Sequence, residues 1–284
     1  MTSPTDGPVS AEALRLTPSF REKVWGTTAL APWFPRSENR IGEVWFLSPA
    51  GPLPILVKFI FTSERLSVQV HPDDEYARRQ EGSPGKTEMW YVLRAEPGAS
   101  IAVGLREAVT RDRLRQLALS GEIERFLNWI PVAPGDTILT PARTIHAIGA
   151  GLALCEIQQQ SDVNYRLYDY GRPRELHREL RLDRALDVAS LAPHPGKTAP
   201  VTLAGGVRRL ASCEYFVTDE LELAGPLEYR PDPERFHILV VLEGAGQIGA
   251  ARFRAGEAWM IPSGAAPFSL RPEPICHLLR TYVP

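Results

Sequence analysis

The 284-residue chain is poor in cysteine, with only Cys155, Cys213 and Cys276, widely spaced and odd in number. That excludes a disulfide framework and a cysteine-based zinc ribbon, and it points to a reducing compartment. Long apolar runs are also lacking. No window approaches the roughly 18 apolar residues of a membrane span, and the opening MTSPTDGPVSAEALRL has no basic start followed by an apolar stretch. Neither sign of charge dominates. With 32 basic residues against 34 acidic ones, the balance argues against nucleic acid or a membrane surface as partner, since both favour a strong basic excess. The expectation is a soluble, cytoplasmic protein acting on small molecules or other proteins. Helical periodicity appears in only a few places. The 26 prolines and 22 glycines recur throughout the chain, which suits many short strands joined by tight turns.

Strand-like runs begin near Gly42 with GEVWFLS, PILVKFIF, LSVQVH, EMWYVLRA and SIAVGL. Residues 107–128 change character: Leu114, Leu117 and Leu119, then Ile123, Phe126 and Leu127, predict two short helices broken at Gly121. Strands resume through WIPVAPGD, TILT, HAIG, LALCEIQ and YRLYDY. A second helical patch is expected over 174–191, within a helical segment 172–195, and PHPGKTAP (193–200) after it reads as a linker. The β pattern then returns over 205–284. The economical description is a mainly β protein of two β-barrels with a small helical insertion and linker. The segment WIPVAPGDTILTPARTIHAI has a faint echo in ARFRAGEAWMIPSGAAPFSL, which fits two related barrels, the second having lost the histidine that the first keeps as His146.

The chemistry gathers around LSVQVHPDDEYA. Ser67, Gln69 and His71 alternate with Val68 and Val70, so strand geometry puts them on one face, with successive members about 6.6 Å apart. Pro72 then interrupts the ladder. Glu88 follows in GKTEMWYVL with Lys86 and Trp90 on its face, and His146 comes just after a turn. Two imidazoles, a carboxylate and an amide oxygen form a mixed N/O set that suits zinc. Glu156 and Gln158 share one face of LALCEIQ, with Cys155 and Ile157 on the other, which directs Glu156 into the barrel. Lys58 interrupts an apolar strand. A lysine is costly to bury without an anion, and a bound phosphate would be one. A lysine snorkelling to the surface is the bland alternative.

The runs LSVQVHPDDEYA, GKTEMWYVL, TIHAIGAGLALCEIQQQSDVNYRLYDYGR, EKVWGTTALAPWF and IGEVWFLS resemble the short bacterial type I mannose-6-phosphate isomerases, zinc enzymes of the cupin superfamily. The resemblance runs from about Glu22 to the RELH segment and more weakly to the C-terminus. It implies a catalytic cupin barrel over 1–106 and 129–171, with an N-terminal extension, and a degenerate cupin jelly roll over 205–284. The degenerate barrel is expected to shield the first barrel's edge. One zinc ion per chain would be held at Gln69, His71, Glu88 and His146. Glu156, Lys86 and Arg166 would be catalytic, Glu156 as acid/base, and Ser67, Lys58 and Arg172 would contact a phosphorylated sugar. The implied reaction is exchange between mannose 6-phosphate and fructose 6-phosphate by a monomer or homodimer. The chain departs from the pattern at Met89, where the family often has Cys, and at Arg143, where a loop usually has Gly; the extra bulk and charge of Arg143 are expected near the rim. A non-catalytic sugar-binding cupin and a cupin oxygenase are the competing readings.

Overall fold

A computed structural model describes residues 13–173 and 179–284. Its strands form four antiparallel sheets. A six-stranded sheet runs in the order Thr17–Thr27, Ile41–Leu47, Ile55–Thr62, Leu152–Gln159, Glu88–Ala95, Thr137–Thr140. A five-stranded sheet runs Tyr165–Tyr168, Val68–Val70, His146–Ile148, Ser100–Leu105, Leu127–Pro131. Between these two lies the first barrel interior, filled away from the polar end by Trp25, Ile60, Trp90, Ile101, Ile138 and Leu154. The remaining seven-stranded and four-stranded sheets enclose a second interior built on Leu239, Phe253, Trp259 and Leu278. The short strand Leu14–Arg15 pairs with Ala258–Ile261, so residues just before the first barrel belong to the second barrel's sheet.

All eight residues of Ile55–Thr62 are buried, and alternation explains how. Lys58 and Ile60 face the first barrel's interior, whereas Val57, Phe59 and Phe61 face outward into a shared core with Ile238, Val240 and Leu279 of the seven-stranded sheet. Met89, Cys155 and Ile157 join that core from neighbouring strands. The second barrel therefore covers a face of the first and does not cap its edge. The outer residues of this sheet are large and apolar, and they gain more from burial than an edge would.

The two helices expected over 107–128 are present as Arg111–Ser120 and Ile123–Phe126, and Gly121 separates them at φ 78°. They cover the outer face of the five-stranded sheet, with Leu114, Leu117 and Ile123 against Val68, Val70 and Ala147. The patch over 174–191 contributes the helix Leu182–Val188, and residues 174–178 lie outside the described part. One helix was not anticipated. Asp74–Glu81 follows Pro72 directly; the Asp73 carboxylate accepts from Tyr76 N at 2.9 Å as N-cap, and Gly82 at φ 62° ends the helix. No described helix is long and apolar enough to cross a membrane. The three cysteines are free.

The echo between the barrels extends to backbone conformation. Gly135, Pro141 and Arg143 map at one constant spacing onto Gly256, Pro262 and Gly264. Both Gly135 and Gly256 are left-handed, at φ 89° and 86°, and so are Arg143 and Gly264, at 75° and 66°. His146 maps onto Pro267, so the second barrel has no imidazole at that position.

Candidate active site

Three elements bring the ligand candidates together. Gln69 is registered against His146 on one side and Arg166 on the other, while Glu88 lies in the facing sheet with Gln158 as its cross-strand neighbour. His71, Glu88 and His146 each offer a ligand atom, and those atoms lie within 4.8 Å of one another, all in buried residues. His146 Nε2 stands 3.3 Å from Glu88 Oε1, and His71 Nε2 stands 3.5 Å from Glu88 Oε2. Gln69 Nε2 meets His146 Nε2 at 3.1 Å.

Backbone carbonyls fix both imidazoles. His71 Nδ1 donates to Val163 O and His146 Nδ1 to Thr144 O, each at 2.9 Å, so each ring turns the lone pair of Nε2 toward Glu88. Burial disfavours the imidazolium at both. The Lys86 ammonium adds to this at His71, whose pKa falls to about 3, and His146 also lies below the ordinary histidine value. Burial alone would raise the Glu88 carboxyl, but Lys86 and the two imidazoles hold it well below the usual carboxylate range. Two neutral nitrogen donors and one ionised carboxylate, aimed at one point in a buried site, are a donor set for a divalent cation. Neither Glu88 oxygen has a well-formed hydrogen bond, so both retain acceptor capacity. The Lys86 ammonium meets that demand for positive charge in part, at 2.9 Å from Glu88 Oε2 and 3.1 Å from His71 Nε2.

A cavity of about 340 Å³ adjoins this cluster. Gln69 and Lys86 line it and also touch the cluster, and Glu156, Lys58, Ser67 and Arg166 line it too. Glu156 is registered between Lys58 and Trp90 on adjacent strands. Its Oε1 lies 3.0 Å from Lys58 Nζ and 3.9 Å from Lys86 Nζ, and its Oε2 accepts from Trp90 Nε1 at 2.9 Å. Lys58 is therefore buried with an anion, as its position demanded, but that anion is Glu156. Its ammonium also lies 4.9 Å from the Trp45 ring centroid.

Two basic side chains are held apart from this cavity lining. Arg172 is not part of the cavity lining: its guanidinium meets Asp169 at 2.9 Å and Glu64 at 3.3 Å, and donates to Arg65 O. The chain turns through left-handed Tyr170 and Gly171 before reaching it, which breaks the strand alternation. The Arg143 side chain is likewise engaged elsewhere. It donates through Nε to Val188 O and lies 3.5 Å from Asp73, outside the lining. Met89 faces the core between the barrels, away from Glu88. Sequence reasoning missed Lys23, Trp25, Glu43, Asn164 and Arg181, all of which line the cavity. Lys23 and Trp25 are two apart on one strand, and that spacing was the available signal.

Paired antiparallel barrels, one with a buried His–Glu–His cluster inside, define a two-barrel cupin with a candidate metal centre. Comparison with known proteins takes the assignment further. No family model matches the chain. The mannose-6-phosphate isomerase ManA of Bacillus subtilis (strain 168) is 30% identical over 306 aligned positions, spanning 92% of this chain and 96% of the relative. A mannose-6-phosphate isomerase of Streptococcus mutans is 34% identical over 230, spanning 78% and 72%. The crystal structure of the mannose 6-phosphate isomerase from Bacillus subtilis superposes with a TM-score of 0.86 at 30% identity, covering 95% of this chain and 99% of that one. A putative mannosephosphate isomerase from Archaeoglobus fulgidus shares the fold, with a TM-score of 0.80 at 19% identity, covering 98% and 99%. The chain belongs to the mannose-6-phosphate isomerase family.

Proposed function

We propose that this protein interconverts mannose 6-phosphate and fructose 6-phosphate in the cytoplasm, with one zinc ion per chain held by Gln69, His71, Glu88 and His146. The observation that carries the reading is Glu156. It is a buried carboxylate opening on the same cavity as Gln69 and Lys86, the two residues that connect the cavity to the ligand cluster.

Aldose–ketose exchange moves a proton between adjacent carbons while the carbonyl oxygen gains negative charge. When bound, the divalent ion supplies Lewis-acid stabilisation of that charge. Glu156 takes the proton from one carbon and returns it to the next, oriented by Lys58 and Trp90. Lys86, at the boundary between ligands and cavity, donates to the sugar oxygens. Arg166 receives the phosphate, with Lys23 and Arg181 as further cations of the lining and Ser67 as a hydroxyl donor. Arg172 acts at one remove, tying Asp169 to the Glu64–Arg65 turn. Residues 205–284 serve as a degenerate barrel that supports the first.

A non-catalytic sugar-binding cupin would not need Glu156, Lys86 and Arg166 on one cavity, and all three line it. A cupin oxygenase has no use for so many cations beside its ligands. The test is turnover of mannose 6-phosphate before and after exhaustive chelation, followed by zinc add-back. Activity should vanish with the metal and return with it. Turnover indifferent to chelation, in a protein that contains no metal, would remove the mechanism.

A further inference from the structure

The Gln69 side chain is turned so that Nε2 faces His146 Nε2 at 3.1 Å. Its Oε1 faces away, accepting from Asn164 Nδ2 at 2.6 Å and from Ser67 Oγ at 3.4 Å. In that orientation Gln69 presents an N–H to the cluster, and an amide N–H cannot hold a cation, whereas an amide oxygen can. At the same place, Asn164 Oδ1 is buried and accepts no hydrogen bond. The Gln69 oxygen and the Asn164 oxygen are thus both turned away from where they would be used, and a single concerted change redirects the two. A half-turn of each amide exchanges oxygen and nitrogen with no movement of the chain, turning the Gln69 oxygen inward and moving Asn164 Oδ1 to where Gln69 can donate to it, while Asn164 Nδ2 takes the place Oδ1 held. Gln69 Oε1 then faces the cluster, Gln69 Nε2 donates to Asn164 Oδ1, and the Ser67 hydroxyl changes from donor to acceptor.

We propose that Asn164 is a positioning residue for the metal centre: it is the partner that lets Gln69 present its carbonyl oxygen to a divalent cation, the two amides reversing together as the ion binds. The proposal rests on reading Gln69, His71, Glu88 and His146 as the ligand set. Asn is suited to the task because it both donates and accepts, so the pair stays hydrogen-bonded in either orientation. Leucine of similar size would offer no acceptor to Gln69 Nε2. Aspartate would offer only acceptors and would hold the outward-facing group of Gln69 as the donor, which leaves the oxygen inward.

The test measures affinity for Zn²⁺ and Co²⁺ by competition with a chromogenic chelator, together with the visible absorption of the Co²⁺-loaded chain. N164L should bind each ion 10- to 100-fold more weakly than wild type, the usual cost of losing a group that orients a ligand. Its Co²⁺ spectrum should shift. N164D should restore affinity to the wild-type level or above. In the double variant Q69L/N164L the loss should equal that of Q69L alone, because Asn164 acts only through Gln69. Wild-type affinity and an unchanged spectrum in N164L would overturn the proposal, as would losses that add in the double variant. If N164L does not fold, N164A removes the same acceptor and replaces it throughout. Failure of wild type itself to take up either ion would bring down the ligand-set reading and this proposal together. A wild type that binds while Q69L binds equally well would place the fault at Gln69.

Discussion

Glu156 is held by Lys58 at 3.0 Å and the Trp90 indole N–H at 2.9 Å, with Lys86 at 3.9 Å. If it moves the proton, E156Q should lower kcat by about 10²- to 10⁴-fold, the usual contribution of general acid–base catalysis. Metal affinity should stay within a few-fold, since Glu156 is not in the ligand cluster; a loss of turnover below tenfold would assign the base elsewhere. Alternation along the strands made the inward set legible. Gln69, His71, Glu88, Glu156, Lys58 and Lys86 could each be put on a face because a strand's side-chain period is two. Arg172 was expected from the resemblance alone and not from alternation, and its guanidinium is engaged by Asp169, Glu64 and Arg65 O. Lys23 and Trp25 escaped notice because their strand, Thr17–Thr27, precedes Gly42, near which the strand-like runs begin in the sequence pattern, and Glu43 because one polar residue in a strand reads as a solvated position. Arg143 was visible as an oddity but for the wrong reason. Its φ of 75° explains why glycine suits that position, and its guanidinium secures Val188 O and Asp73 without entering the cavity.

Among elements, the strands and the pair of helices around Gly121 follow from local pattern, whereas the helix Asp74–Glu81 does not show an apolar period. Only Ala77 on it is buried. Its signature lies in its ends: Asp73 as N-cap, Asp74 and Glu75 in the first turn, Arg78 and Arg79 in the last, then Gly82. A helix specified by its ends should be sensitive to them. D73A should destabilise the chain by about 1 kcal/mol, typical for the loss of an N-cap, read as a lower urea midpoint. No change would mean that Pro72 and the Gly85 N–H bond to Asp74 suffice to start the helix. The turn 159–164 shows the converse, a loop specified by side chains. Gln158 Nε2 donates to Ser161 O and Gln159 O, and Gln159 accepts from Thr87 N while donating to Asp74. That pinned turn supplies both Val163 O for His71 and Asn164 for Gln69. No periodicity encodes such a loop, and its role is visible only once the ligands are in place.

At the scale of the whole molecule, two related barrels could be read from the repeated turn motif, but not how they meet. The outward faces of Ile55–Thr62 and Leu152–Gln159 looked like ordinary strand cores until the second barrel was seen against them. That barrel carries its own buried polar set: His237 Nδ1 lies 2.5 Å from the Tyr229 hydroxyl, near Tyr282, Arg280, Asp219, Asp232 and Arg235. Burial first, and then Arg280, lowers the His237 pKa from 6.5 to about 4. Between those values the unfolded chain takes up a proton that the folded one refuses, so stability declines as pH falls from about 6.5 and this contribution is lost by about 4. The loss is on the order of 3 kcal/mol. Urea midpoints for wild type and H237Q at pH 7 and pH 4.5 should show the smaller decline in the variant; equal declines would count against this origin. The strands that carry Glu88 and Glu156 inward carry Met89 and Cys155 outward into the common core. Each is thus a party wall, with the candidate site's furniture on one side and a neighbour's foundations on the other. Severing the chain near residue 200 would leave the first half with a bare hydrophobic sheet behind its own candidate ligands, so neither half is expected to survive alone in solution as a working module.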